Sequence, residues 1–72
     1  MTTADDDPPQ TISLPLGGRT VQELHYELRR CGLQLSIDYW LGPQFHTRLR
    51  TGYAVLTFEK GSRAMAACLI WC

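Results

Sequence analysis

The chain has 72 residues, 44% hydrophobic and 19% charged, which is room for one domain with a small core and too little charge for wholesale disorder. Seven Lys and Arg balance seven Asp and Glu, but Asp5, Asp6 and Asp7 crowd the start, so residues 11–72 carry Glu23, Glu27, Asp38 and Glu59 against all seven basic side chains, a net charge of +3. That falls short of the footprint of a strong nucleic-acid binder, and so small a domain leaves little room for a large catalytic cleft.

Residues 1–10 combine the Asp run with Pro8 and Pro9 and offer no apolar period, which predicts a disordered acidic tail ahead of a folded domain over residues 11–72. Thr11 to Leu16 reads as a first strand, with Ile12, Leu14 and Leu16 on one face. Pro15 cannot donate to a ladder, so this strand is expected to have an unpaired side. Gly17 and Gly18 then break it. From Thr20 to Cys31, Val21, Leu24, Leu28 and Cys31 recur at the helical period. Thr20 and Glu23 form a capping box, and Gly32 supplies a left-handed stop.

Leu33 to Trp40 alternates apolar and polar residues, the period of a half-buried strand that Gly42 and Pro43 end. In the next segment Phe45, Thr47 and Leu49 alternate with His46, Arg48 and Arg50, which on an extended chain would project as a basic row. Gly52 to Phe58 is strongly β-prone, with Ala54, Leu56 and Phe58 facing the core and Tyr53, Val55 and Thr57 facing outward. After a turn at residues 59–61, Ser62 is the expected N-cap of a closing helix over residues 63–72. The expected fold is α+β: a single small β-α-β-β-α domain, a three-stranded, mainly antiparallel sheet with two helices on one face.

The run Gly52-Tyr53-Ala54-Val55-Leu56-Thr57-Phe58 resembles the third-strand signature of the RNA recognition motif, with its alternation of outward aromatic and inward apolar residues. Ala64 and Ala67 stand where that family places small residues on its second helix, and Leu24, Leu28, Cys31 and Gly32 where its first helix packs and stops. The resemblance covers residues 11–72 and implies a ferredoxin-like, split β-α-β architecture. The family reads single-stranded RNA by stacking bases on outward aromatics. Tyr53 keeps one such position, but Val55 stands at the second, the first strand offers only Ser13 or Pro15, and Arg50 lies one residue before the motif's basic position. The sequence stops at Cys72, inside the second helix, so the fourth strand is missing and the outer edge of the first is expected to lie open.

The terminal helix is apolar on two sides: Ala64, Ala67, Cys68 and Trp71 suit the sheet, while Met65, Leu69 and Cys72 form a second stripe that is either buried or an interface. His46, Arg48 and Arg50 are either a solvated surface or a contact for an acidic protein or a phosphate backbone. Tyr39, Trp40, Phe45 and Tyr53 are candidate aromatic anchors beside them. His25, Cys31, His46, Cys68 and Cys72 lack the paired spacing that seeds a metal site, so no metal or other cofactor is expected. His25 lies off the apolar stripe, nothing pairs with Cys31, and Gly17-Gly18 is a plain turn, so neither an enzyme nor a small-molecule substrate is expected. Three cysteines without a signal peptide point to a reducing, cytoplasmic setting. The longest apolar run, Ala64 to Cys72, is nine residues, against about 20 for a membrane span.

These features predict a protein-interaction module that docks on a larger protein, through its open strand edge, its basic and aromatic loop and its terminal helix, and regulates or inhibits it. The size fits a small inhibitor of the kind that viruses and mobile elements encode. The alternative is single-stranded RNA binding through Tyr53, Arg48 and Arg50. A homodimer joined by first strands or terminal helices is the third arrangement the sequence allows.

Overall fold

The computed structural model describes residues 7–71. They form β1 (Gln10–Pro15), α1 (Val21–Arg30), β2 (Tyr39–Leu41), α2 (Phe45–Leu49), β3 (Tyr53–Phe58) and α3 (Gly61–Trp71). The three strands make one open antiparallel sheet in the order β1-β3-β2, the small α+β architecture that the sequence predicts. Most of the expected acidic tail, residues 1–6, lies outside the described residues, as does Cys72.

Strand β1 turns Ile12 and Leu14 inward, and Leu16 follows them into the core. Their partners on β3 are Leu56 and Ala54, directly opposite Ile12 and Leu14. Phe58 completes this face beside Tyr39 of β2, the two rings stacked 5.2 Å apart. Residues directly opposite in an antiparallel pair share a face, so one side of the sheet is a continuous apolar layer. Leu24 and Leu28 of α1 and Ala64, Ala67 and Trp71 of α3 close over it.

Helix α1 forms where its capping signals put it. The Thr20 hydroxyl accepts from the Glu23 N–H at 3.1 Å, and the Glu23 carboxylate accepts from the Thr20 N–H at 3.2 Å. At the other end Gly32, with φ of +88°, sends its N–H to Arg29 O and lets the Leu33 N–H reach Leu28 O, a Schellman stop. The apolar stripe ends sooner than expected. Cys31 is exposed, and Leu33, brought inward by the stop, takes the buried place.

Three other expectations are corrected. The long second strand shrinks to Tyr39–Leu41, because Asp38 closes a turn: its carboxylate accepts from the Gln34 N–H at 2.9 Å and its own N–H reaches Gln34 O at 2.8 Å. Ser36 sits in that turn at φ of +70°. The expected extended segment from Phe45 to Arg50 is instead helix α2, with Phe45 buried and Leu49 packed against the core. Helix α3 begins at Gly61 rather than Arg63, so Ser62 lies within its first turn. Asp7 supplies the acceptor there, 3.0 Å from the Ser62 N–H and 2.6 Å from its hydroxyl.

Candidate docking surfaces

The nine residues that the sequence marks as a partner surface are not one surface. Two of them belong to the core: Tyr39 is 1% exposed and Phe45 is 7% exposed, so neither is an accessible anchor. Tyr39 packs between His25 and Phe58, and Phe45 is the first residue of α2, turned under the sheet. His46, Arg48 and Arg50 are all exposed, but the helix breaks up their row. At about 100° per residue, His46 and Arg50 lie on one side of α2 and Arg48 on the opposite side.

The sheet face away from α1 and α3 carries Tyr53, Val55 and Thr57 of β3, with Pro15, Ser13 and Thr11 opposite them on β1 and Trp40 opposite Thr57 on β2. Trp40 and Tyr53 are exposed there. Between them Val55 is buried, because Gly42 passes so close that a Cβ on it would stand 2.7 Å from Val55 Cγ1. The Thr11 and Thr57 hydroxyls meet at 2.8 Å. This face is therefore a polar, hydroxyl-lined strip with an aromatic ring at each end.

A second exposed region runs along the outer margin of β2. Leu35, Ile37, Trp40 and Leu41 are 44%, 60%, 42% and 46% exposed, four large apolar side chains within seven residues. Leu35 bridges to Tyr39, and the Ser36 N–H donates to Tyr39 O at 2.7 Å, which holds the turn against the strand. Beside it lies a cleft of about 330 Å³ lined by His25, Arg29, Leu33, Gln34, Leu35 and Tyr39. Its floor is the His25–Tyr39 pair, with Nδ1 and Oη 2.7 Å apart and rings stacked at 5.7 Å. Burial holds the His25 imidazole below its ordinary pKa of 6.5 and pushes the Tyr39 phenol up to about 12. In the sequence His25 lies off the apolar stripe of α1. Its helical position beside Leu24 and Leu28 carried no sign of Tyr39, which arrives from a different element.

The third region is the outer side of α3, where Met65 and Leu69 are exposed one turn apart while Cys68 is half-buried. Cys72, the remaining member of the expected stripe, lies outside the described residues. A separate groove of about 500 Å³ between α1 and α3 includes Arg19, Glu23, Tyr26, Ile70 and Trp71 in its lining. Arg19 is committed to structure there: its guanidinium stacks 3.6 Å over the Trp71 ring and donates to Leu16 O and Trp71 O.

Among the described residues no group of three His, Cys, Asp or Glu side chains is placed to hold a metal ion. No described helix is long and apolar enough to cross a membrane. No family model matches the chain, and no curated protein or solved structure matches it either.

Proposed function

We propose that the chain is a non-enzymatic protein-interaction module that docks on a larger partner protein and regulates or inhibits it by covering part of its surface. The observation that carries this reading is the apolar margin of β2. Leu35, Ile37, Trp40 and Leu41 are each exposed along a short edge strand and a hydrogen-bonded turn, Trp40 on the outer sheet face and Leu41 on the helix side, with Arg29 and Gln34 at the neighbouring cleft. An apolar centre with a polar rim, enriched in aromatic and Arg side chains, is the composition of a protein interface. The cleft beside it is open to a single side chain of the partner. Free Cys31 and Cys68 support a reducing, cytoplasmic setting.

The test is photo-cross-linking from position 37 in cells, with Leu41→Asp and Trp40→Ala as controls. A discrete cross-linked protein that disappears in both folded variants supports docking through this margin. Cross-linking that both variants leave unchanged overturns it.

One observation favours the alternative, single-stranded RNA binding by a domain similar to the RNA recognition motif. Trp40 gives the open sheet face a second outward aromatic in addition to Tyr53, and base stacking on such rings contributes about 1–3 kcal/mol each. Titration of labelled oligonucleotides at low and moderate salt discriminates. Salt-dependent binding that Tyr53→Ala abolishes would make RNA the primary ligand and displace the docking reading.

A further inference from the structure

Among the described residues strand β1 is paired on one side only, and the bond from the Leu16 N–H to Gly52 O, 2.8 Å, shows which groups face the other side. Leu16 and Gly52 continue the register in which Leu14 opposes Ala54. Hydrogen-bonded pairs alternate along an antiparallel ladder, so Gln10, Ile12 and Leu14 bond to β3 while Thr11 and Ser13 turn their N–H and C=O groups outward. Pro15 has no N–H, and its carbonyl already accepts from Trp71 Nε1 at 2.6 Å. The edge is thus open at Thr11 and Ser13 and closed beyond them.

The apolar side of α3 stands over that edge. Helix α1 lies toward β2, where His25 meets Tyr39, and Ile70 of α3 faces the groove toward α1. At about 100° per residue, Met65 and Cys68 project from the opposite flank of α3, above the outer edge of β1, with Leu69 beside them. Ile12 of β1 is half-buried below. No charged residue occurs from Pro8 to Gly18 or from Ala64 to Trp71.

We propose that this edge is a homodimer seam, in which two copies pair their β1 strands antiparallel about a two-fold axis at Ile12 and run one sheet through both molecules. In that register Thr11 of each copy opposes Ser13 of the other, and every outward N–H and C=O of these residues finds its complement. One step further Pro9 opposes Pro15, so neither copy presents an unmatched donor. Sliding the register by two residues sets Thr11 or Ser13 against a proline, which cannot return the bond.

The helices fit the same axis. Strands lie about 4.8 Å apart, and α3 lies over β1 and β3, so two α3 axes fall about 10 Å apart, at the upper end of the separation of packed helices. Met65 and Cys68 of the two copies then meet above Ile12, with no charge to bury. A second copy is the occupant because this one surface supplies both halves of the match, as a closed two-fold interface requires. The seam uses none of the β2 margin, so it stands or falls independently of the proposed docking.

Sedimentation equilibrium of the full chain, under reductant so that its three cysteines cannot cross-link it, is expected to show the 8.2 kDa mass doubling with concentration. Ser13→Pro removes an outward donor and no bond to β3. It is expected to weaken self-association about a hundredfold, since the symmetric seam loses two donors. Met65→Lys, which leaves the backbone untouched and sets like charges across the axis, is expected to have the same effect. Both variants should keep the circular dichroism of the parent. A strict monomer at every concentration, or a dimer indifferent to both substitutions, would overturn the proposal. So would a monomer whose Thr11 and Ser13 amides gain exchange protection only when an apolar peptide is added, because the edge would then belong to a foreign strand.

Discussion

The phenolic oxygen of Tyr39 lies 2.7 Å from Nδ1 of His25, and this single contact ties α1 to β2 across the face that the two elements share. The Tyr39 ring is buried against Phe58, so the hydroxyl has to find its partner inside the fold. A neutral imidazole can accept at Nδ1 while Nε2 carries the proton. Protonation would place a second donor at Nδ1 and remove the acceptor.

That arrangement makes stability depend on pH on the acid side. Burial lowers the folded-state pKa of His25 below 6.5, so as pH falls through 6.5 the unfolded chain takes up the proton first. The contribution of His25 is therefore complete above 6.5 and declines as pH falls from there toward the folded-state value. Urea unfolding midpoints measured from neutral pH downward should fall over this window, and His25→Gln should flatten that part of the curve. Equal slopes in the two proteins would contradict the assignment.

The alkaline side has the opposite sign. An unfolded tyrosine ionises near 10.0, whereas Tyr39 is pushed up to about 12 by burial, so the unfolded state loses its proton first as pH rises. Stability is lost between these values. Tyr39→Phe should abolish the Tyr39 share of that loss, while lowering stability at neutral pH by leaving His25 Nδ1 without its partner.

Asp7 predicts a further acid-sensitive contact. The Ser62 hydroxyl and then the Ser62 N–H hold its carboxylate below the ordinary 3.8, and the side chain also meets the exposed first turn of α3, where negative charge is favoured. A depressed carboxylate contributes stability above its unfolded pKa, and that contribution is lost as pH falls through the folded one. Asp7→Ala should speed amide exchange at Gly61 and Ser62 at neutral pH. Exchange that is unchanged there would show that the contact does not persist in solution.

The pattern of correct and incorrect expectations has a physical cause. Helix α1 is legible because its cap, its stripe and its glycine stop are all local and agree. Strand β3 is legible because Ala54, Leu56 and Phe58 alternate across a sheet with one covered face. Helix α2 is not, since Phe45 and Leu49 share a face whether the chain has a period of 2 or of 3.6, and five residues are too few to separate the two. The alternation from Leu33 to Tyr39 misleads because the Asp38 side chain competes for the Gln34 N–H and folds the segment into a turn. Of the candidate surface, Trp40, Tyr53, Met65 and Leu69 are exposed, which resolves the second stripe of α3, left open between burial and an interface, as accessible. Tyr39 and Phe45 are withdrawn because aromatic residues beside a small core are the largest side chains available to fill it.

Gly42 tests how the open sheet face is built. A Cβ there would stand 2.7 Å from Val55 Cγ1 and 3.0 Å from Val55 O, and the Gly42 N–H bonds to that same carbonyl at 2.8 Å. Gly42→Ala should therefore destabilise by about 1–3 kcal/mol, the range for inserting a methyl where there is no room. Adding Val55→Ala should recover only part of the loss, because the backbone carbonyl stays in the way. Full recovery would mean that the side-chain contact alone sets the limit.

Leu14 and Leu69 separate what holds the fold from what remains for a partner. Leu14 is fully buried in the central layer, whereas Leu69 is 80% exposed on α3. Truncating a buried leucine costs about 2–5 kcal/mol, which is comparable to the whole stability of a domain this small, so Leu14→Ala should leave the chain largely unfolded at room temperature by circular dichroism. Leu69→Ala should shift stability by no more than about 0.5 kcal/mol. The same substitution removes apolar area beside the proposed β1 seam, so it should weaken self-association, read as the concentration dependence of amide exchange at Thr11 and Ser13. A loss of stability at Leu69 similar to that at Leu14 would show that the outer side of α3 serves the monomer's own core, and would take that side away from any partner.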